Sequence, residues 1–519
     1  MSCVVDSHPR FYLEALRWYA SATDMAGVDP HDLRVKTVGK QRADVADYLR
    51  SRGVGVEEIE GFDPRSRHCN KVSGALSLAA ERVDGVAVLC DTDLLVFEDP
   101  RSIAVPADSV GMKSVDRENP PLAVLEAVFA AAKVPEPPHV DLPLQPGHQT
   151  LSGNGNGGLY VIPAGILPAV AGAWGRWASW LLDRPELLGR WALHVDQVAM
   201  AVALASEKVG VVDLDARWNA PTHIEELIDA RGGSPALLHY HLQVDDFAQV
   251  ETVGADGVDA LVKRANLATA KVWEECFPQA TFWNWRYDSR PALGSGATSR
   301  GKPLRQKRRM LLRTLHATKP SSVLDVGCGD GEVTRGMHIP GYVGMDVSRA
   351  ALHRAAGGRR HGTYVLGELL ANPVEADLVV CLDVLTCQAD AEYYRKLVQS
   401  LVRCARSAVL VSGYERAPAA GERSPISFYH EPLSVTLASA GGAELQCLGQ
   451  RGSEVTLLVV KAPLRRRLGR RTGSNPTLWA SEMMASLRQL GARLPLVLAR
   501  IRKGRRTAAP PATPDRAAA

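Results

Sequence analysis

The stretch VAVLCDTDLLVFEDP, residues 86–100, sets Asp91 and Asp93 one residue apart in an otherwise apolar run. Side chains of an extended chain alternate faces, so both carboxylates are expected to point the same way. Like charges that close repel, and burying either one unpaired is costly. Three uses fit such a pair. The aspartates can be turn or cap residues at a strand end. They can be a general acid/base pair, although neighbours on one strand sit closer than the separations hydrolases use. Or they can ligate a hard divalent cation, Mg2+ or Mn2+, which takes oxygen donors and commonly one or two carboxylates plus phosphate oxygens. A cation holding a diphosphate there would also remove the repulsion.

A second stretch, SSVLDVGCGDGEVT, runs from an apolar strand through Asp325 into glycines at 327, 329 and 331. A glycine turn after the first strand of an α/β unit lets a ligand approach the backbone. The spacing is GxGxG, not the GxGxxG of a dinucleotide site. Asp325 beside the turn would repel a pyrophosphate and pair with an ammonium group. The next strand-like run, GYVGMD, ends in Asp346, about twenty residues on, where an acid can accept both ribose hydroxyls.

More short motifs follow in order. HCNKVSGAL precedes the acid pair, and NGNGGLYVIP, HVDQVAM and LLHYHLQ follow it. Together they resemble the GT-A glycosyltransferases, particularly the retaining glycogenin-like and lipopolysaccharide-galactosyltransferase group, family 8, over residues 1–245. The resemblance implies a nucleotide-diphosphate sugar donor and a divalent metal held by Asp91, Asp93 and His239, with His241 the alternative to His239. It implies donor contacts at Asn70, Lys71, Asn154 and Asn156, and a reacting centre flanked by Asp196 and Gln197. The chain departs from the group after the metal histidine: it reads HYHLQVDDFAQV where a Gly and a Lys-Pro-Trp are expected.

The later stretch, continued by YVLGELL and ADLVVCLDVL, resembles class I S-adenosylmethionine-dependent methyltransferases over residues 304–463. That resemblance implies S-adenosyl-L-methionine as cofactor. Asp325, Gly327 and Gly329 would line its methionine and ribose part, Asp346 its ribose and Glu368 its adenine, and Asp383 on the fourth strand would complete the cofactor-binding set. Methyl transfer to a hydroxyl needs a base. Tyr414, Glu415 and His430 are candidates, and His430 in SFYHEPL is selected.

The elements that must position these residues read as two α/β domains. Strand-like runs alternate with helical ones in both halves, which argues for parallel sheets. The expected organisation is a GT-A-like domain over residues 1–286, a Gly/Ser/Pro-rich linker over 287–303, a Rossmann-like class I methyltransferase domain over 304–463, and a basic helical and disordered tail over 464–519. Trp174, Trp177 and Leu181 recur at helical spacing, the pattern of a core stripe.

The 519 residues carry 46% hydrophobic and 23% charged side chains and a net charge of +4, as in a soluble globular protein, which argues against a surface built for nucleic acid. Nine scattered cysteines without a CxxC pair suggest a reduced, cytoplasmic chain. No secretory leader and no transmembrane run is expected. The arginine clusters after residue 464 suit peripheral contact with anionic lipid on the inner face of a membrane. The reading reached is a bifunctional enzyme that transfers a sugar and methylates a hydroxyl of the same glycan or glycoconjugate. The alternative is a methyltransferase carrying a non-catalytic module that binds a nucleotide sugar or glycan.

Overall fold

The computed structural model describes residues 1–81, 83–224, 234–358, 362–441 and 444–461. The expected basic tail from 464 lies outside these. The described chain is mixed α/β, built on two seven-stranded sheets.

The first sheet runs in the order Gly210–Asp213, Ser109–Met112, Leu159–Pro163, Val86–Cys90, Ser2–Val5, Arg34–Val38, Gly55–Ile59. Leu159–Pro163 is antiparallel to both its neighbours and fully buried. Its LYVIP sequence, like VAVLC at 86–90, has no polar alternation because helices cover both faces. One face packs on helix Pro9–Asp24, which buries Trp18, and the other on helix Leu167–Leu182, which buries Trp174 and Leu181. A small three-stranded sheet joins Leu94–Val96, Leu237–His239 and Ala220–Pro221. Its pairing sets His239 opposite Leu94, the residue after Asp93. That antiparallel register brings a histidine 146 positions away to the acid pair.

The second sheet runs Thr363–Leu366, Tyr342–Asp346, Val323–Val326, Ala376–Cys381, Ala405–Tyr414, Glu454–Val460, Leu445–Arg451. The first five strands are parallel and Glu454–Val460 is antiparallel. The order reverses beside Val323–Val326, so Asp325 and its glycines lie where an open α/β sheet forms its ligand crevice.

Residues 287–303, expected as a linker, hold the end of helix Gln279–Ser289, a short 3-10 turn and the start of helix Gly301–Thr318. Their Gly, Ser and Pro make tight turns, and Tyr287, Ser295 and Ser299 face the second cleft. Helix Gln279–Ser289 bridges the halves. Asp44 accepts hydrogen bonds from Thr281 N (2.9 Å) and Thr281 Oγ1 (2.7 Å), capping its first turn from another helix. From its middle turn Asn284 Oδ1 accepts from Ala350 N (3.1 Å) and from Ser348 Oγ (3.3 Å). Among the described residues no helix is long and apolar enough to cross a membrane.

Asp44→Ala should remove that cap and cost about 1–2 kcal/mol. Urea unfolding checks it: the midpoint falls while the denaturant slope is unchanged.

Candidate functional site

The acid pair sits in the turn between Val86–Cys90 and Leu94–Val96, and its two members face different partners. Asp91 meets Lys71 Nζ at 2.6 Å. Lys71 also lies 3.9 Å from Asp196 and donates to Gly157 O (3.1 Å), so one ammonium ties together three of the motifs. Burial works against that ammonium, but Asp91 and Asp196 outweigh it and hold it above the ordinary lysine range. Burial pushes the Asp196 carboxyl up, and Lys71 offsets this only in part.

Asp93 faces the other way. Its Oδ1 is 3.1 Å from His239 Nε2 and its Oδ2 4.0 Å from His241 Nδ1. Burial would raise Asp93, but the charge and hydrogen bond of His239, then His241, hold it well below the carboxylate range. The His239 ring is oriented from behind by Asn219 Oδ1, 3.0 Å from its Nδ1. His241 stacks on it at 3.9 Å, with its own pKa pushed down to about 4 by burial and by His239. The ligand atoms of Asp93, His239 and His241 all lie within 4.8 Å of one another. The structure thus brings both histidines to Asp93, while Asp91 is engaged by Lys71. His241 Nε2 is buried without a hydrogen-bond partner, which leaves that nitrogen able to ligate a cation.

The NGNGG segment passes between the two groups. A Cβ on Gly158 would lie 2.8 Å from Asn219 Nδ2 and 3.1 Å from the His239 ring, so only glycine fits there. Gln197 reaches the same segment from the Lys71 side. Its Oε1 is buried and unpartnered. Asn156 closes the turn by accepting from Gly158 N (3.0 Å). Two expected donor contacts are not brought to the group. Asn70 accepts from Phe62 N (3.1 Å), and Asn154 is buried, bonded to Thr150 Oγ1 (2.9 Å).

Sequence reasoning missed Glu14 and Asn219. Glu14 is buried behind the turn, accepts from Thr92 Oγ1 (2.6 Å) and pairs with Arg10 (3.1 Å). Burial, then the charge of Asp93, lifts it to about 7. A glutamate amid the apolar face of helix Pro9–Asp24 was the available signal.

The second cleft forms about 1070 Å3 of space including its open mouth, lined by Asp325, Gly327, Gly329, Asp346, Glu368 and Asp383 together with Trp283 and Tyr287. Gly327 has φ +69°, and a Cβ there would fall 2.1 Å from Val384 Cγ2. Asp325 accepts from Tyr342 OH (2.8 Å) and Glu368 from Tyr393 OH (2.9 Å). Asp346 accepts from Gly329 N (2.9 Å) and Ser348 N (2.8 Å), and burial raises it to about 6. Asp383 pairs with Lys307 of helix Gly301–Thr318. His430 is not brought into the cleft lining: its Nε2 bonds Gln388 O (2.8 Å) and its ring packs on Tyr394.

Residues 324–411 match the family model described as a methyltransferase domain, so the chain carries such a domain. No curated protein matches the sequence. Among solved structures, the magnesium protoporphyrin IX methyltransferase of Synechocystis with bound SAH is 20% identical, covering 31% of this chain and 84% of that one, at TM-score 0.26. The N-methyltransferase NodS of Bradyrhizobium japonicum is 21% identical over 30% of this chain and 94% of its own, at TM-score 0.25. A galactosyltransferase, LgtC, in complex with donor and acceptor sugar analogues is 15% identical over 52% of this chain and 96% of its own, at TM-score 0.34.

Lys71→Met leaves Asp91 and the buried Asp196 without their cation. The expected cost is about 2 kcal/mol, below that of a fully buried pair because Lys71 keeps some solvent contact. Deprotonating Asp196 then creates an unpaired charge, so the loss should be larger at pH 8 than at pH 5. Urea unfolding at both pH values reads it.

Proposed function

We propose that the chain is a bifunctional transferase. Its first half moves a sugar from a nucleotide diphosphate with a divalent cation, and its second half methylates a hydroxyl of the same glycan or glycoconjugate with S-adenosyl-L-methionine. The observation that carries the first part is the grouping of Asp93, His239 and His241 beside Lys71 and Asp196. The donor set fits a metal: one carboxylate, one imidazole oriented from behind by Asn219, and one imidazole with a buried unpartnered nitrogen. Two imidazoles make it too rich in nitrogen for Mg2+, which favours Mn2+ of the two expected ions. Such an ion supplies positive charge against a departing diphosphate. Lys71 stands in reach to share that work by loosening from Asp91, and Asp196 and Gln197 lie beside it to face the sugar.

For the second half, Asp346 has the position and remaining lone pairs to accept the ribose hydroxyls, and Asp325 sits beside the glycine turn where an ammonium would come. Trp283, which lines the cleft, supplies an aromatic wall.

The binding-module reading draws on one observation: Lys71 is already paired with Asp91, and HYHLQVDDFAQV, the segment that carries the metal histidines, holds no lysine. Turnover separates the two readings. Mn2+ with UDP- and GDP-sugars should raise the melting temperature and support donor hydrolysis. Asp93→Asn with His239→Ala should abolish both and leave the shift with S-adenosylhomocysteine intact. Binding without any turnover would favour the module.

Asp346 gives a pH test. Because its pKa is about 6 in the free protein, a proton competes with the ribose hydroxyls below that value. S-adenosylhomocysteine affinity, measured by calorimetry, should fall about tenfold from pH 7 to pH 5, and Asp346→Asn should flatten the profile. Without ligand the sign reverses. A raised carboxylate costs stability as pH rises from the unfolded range through 6, so the empty protein should gain stability on mild acidification.

A further inference from the structure

Behind the second cleft lies a smaller pocket of about 360 Å3, mouth included, between helix Gly301–Thr318, the edge strand Leu445–Arg451 and its neighbour Glu454–Val460. The two spaces meet at one ion pair, because Lys307 and Asp383 line both. Lys307 is only 7% exposed, and such a burial is tolerable for an ammonium only with its counter-charge in place. Asp383 has a left-handed backbone, φ 61°, a conformation uncommon outside glycine that aspartate enters more readily than most residues. It is held there by Ser412, whose Oγ accepts from Asp383 N (2.8 Å) and lies 3.3 Å from Asp383 Oδ1. A carboxylate kept in such a conformation at the seam of two pockets is a typical place for stored strain to serve function. The pocket wall carries a second irregularity, a register shift between Cys447 and Gly449. Such bulges recur beside active sites, where they re-aim a strand.

We infer that the mouth of this pocket receives a hydroxyl-bearing ring of the methyl acceptor and that Asp383 is the base. The inference rests on the methyl-transfer reading of the larger cleft. Gln306, Gln450, Arg451 and Glu454 offer donors and acceptors for ring hydroxyls, and Met310 and Val455 offer an apolar surface for a ring face. In the transfer, the acceptor oxygen bonds the methyl carbon while the carbon–sulfur bond breaks and its electron pair stays on sulfur, leaving a neutral thioether. The hydroxyl proton passes to Asp383 and then to water. Lys307, paired with Asp383, stands beside it through the transfer. This gives Asp383 the role expected of His430, whose ring nitrogen is spent on a backbone carbonyl.

The test uses the full chain, labelled S-adenosylmethionine and a panel of methyl glycosides of glucose, galactose, mannose and rhamnose. Wild-type protein should methylate at least one of them. Asp383→Asn should lower kcat by about 100-fold or more, the usual scale for a lost general base, with S-adenosylhomocysteine affinity within threefold of wild type. Gly449→Leu, whose side chain would start 3.3 Å from Met310 Sδ and fill the pocket, should raise KM at least tenfold with the same unchanged affinity. Transfer indifferent to both substitutions overturns the assignment, and so does a panel left unmethylated by protein that binds S-adenosylhomocysteine. Wild-type protein that binds no S-adenosylhomocysteine overturns the methyl-transfer reading itself, and the pocket assignment with it.

Discussion

Two carboxylates one residue apart can both stay ionised inside a protein only if cations or hydrogen-bond donors offset their repulsion and burial. The first half of this chain is arranged around that constraint. Asp91 turns to Lys71 and Asp93 to His239 and His241. The two sets lie on opposite sides of one glycine-rich segment, close enough that a Cβ at Gly158 would strike Asn219 and the His239 ring. The strands flanking the pair end early, at Cys90 and from Leu94, which frees residues 91–93 to point apart where a continuous strand would aim both acids one way. Pairing of Leu94 with His239 then delivers the distant histidine as a consequence of sheet register.

The second cleft depends on the first half in a different manner. Its outer wall is helix Gln279–Ser289, with Trp283 and Tyr287 lining the space. That helix is clipped to Asp44 on one side and through Asn284 to Ser348 and Ala350 on the other. Ser348 N also donates to Asp346. A chain of short hydrogen bonds therefore runs from a helix of the first half to the acid that would hold a ribose. Cutting the protein at the apparent linker would remove a wall of the cleft.

Much of this was legible in the sequence. The two-sheet α/β organisation follows from the alternation of apolar runs and helical stretches. The GxGxG turn, Asp346 and Asp383 announce one cleft, and the order of the acid pair, the glycine-rich segment, Asp196 and His239 announces the other. What was not legible depends on long-range choice. Nothing local says that Lys71 takes Asp91, that Asn154 turns inward to Thr150, or that His430 spends its nitrogen on Gln388 O. Residue types show which bonds a side chain can make; only the packed chain decides which it does make. The apparent linker misleads for a related reason, since Gly, Ser and Pro mark sharp turns as readily as loose connections.

The two sites also differ in how their acids are satisfied, and the difference bears on their ligands. In the first, Asp91 is met by the Lys71 ammonium and Asp93 by the His239 imidazole, so a metal there would bring the further positive charge that an anionic diphosphate calls for. In the second, Asp346 is held by two backbone N–H groups and Glu368 by a tyrosine hydroxyl, neutral donors that leave the negative charge in place. Asp325 beside them accepts from another tyrosine. Among the described residues the one cation in that lining, Lys307, is paired with Asp383, so the remaining acids would suit a cationic ligand better than a pyrophosphate. A sulfonium with an ammonium group carries the complementary charge, and transfer of its methyl group leaves a thioether without the sulfonium charge.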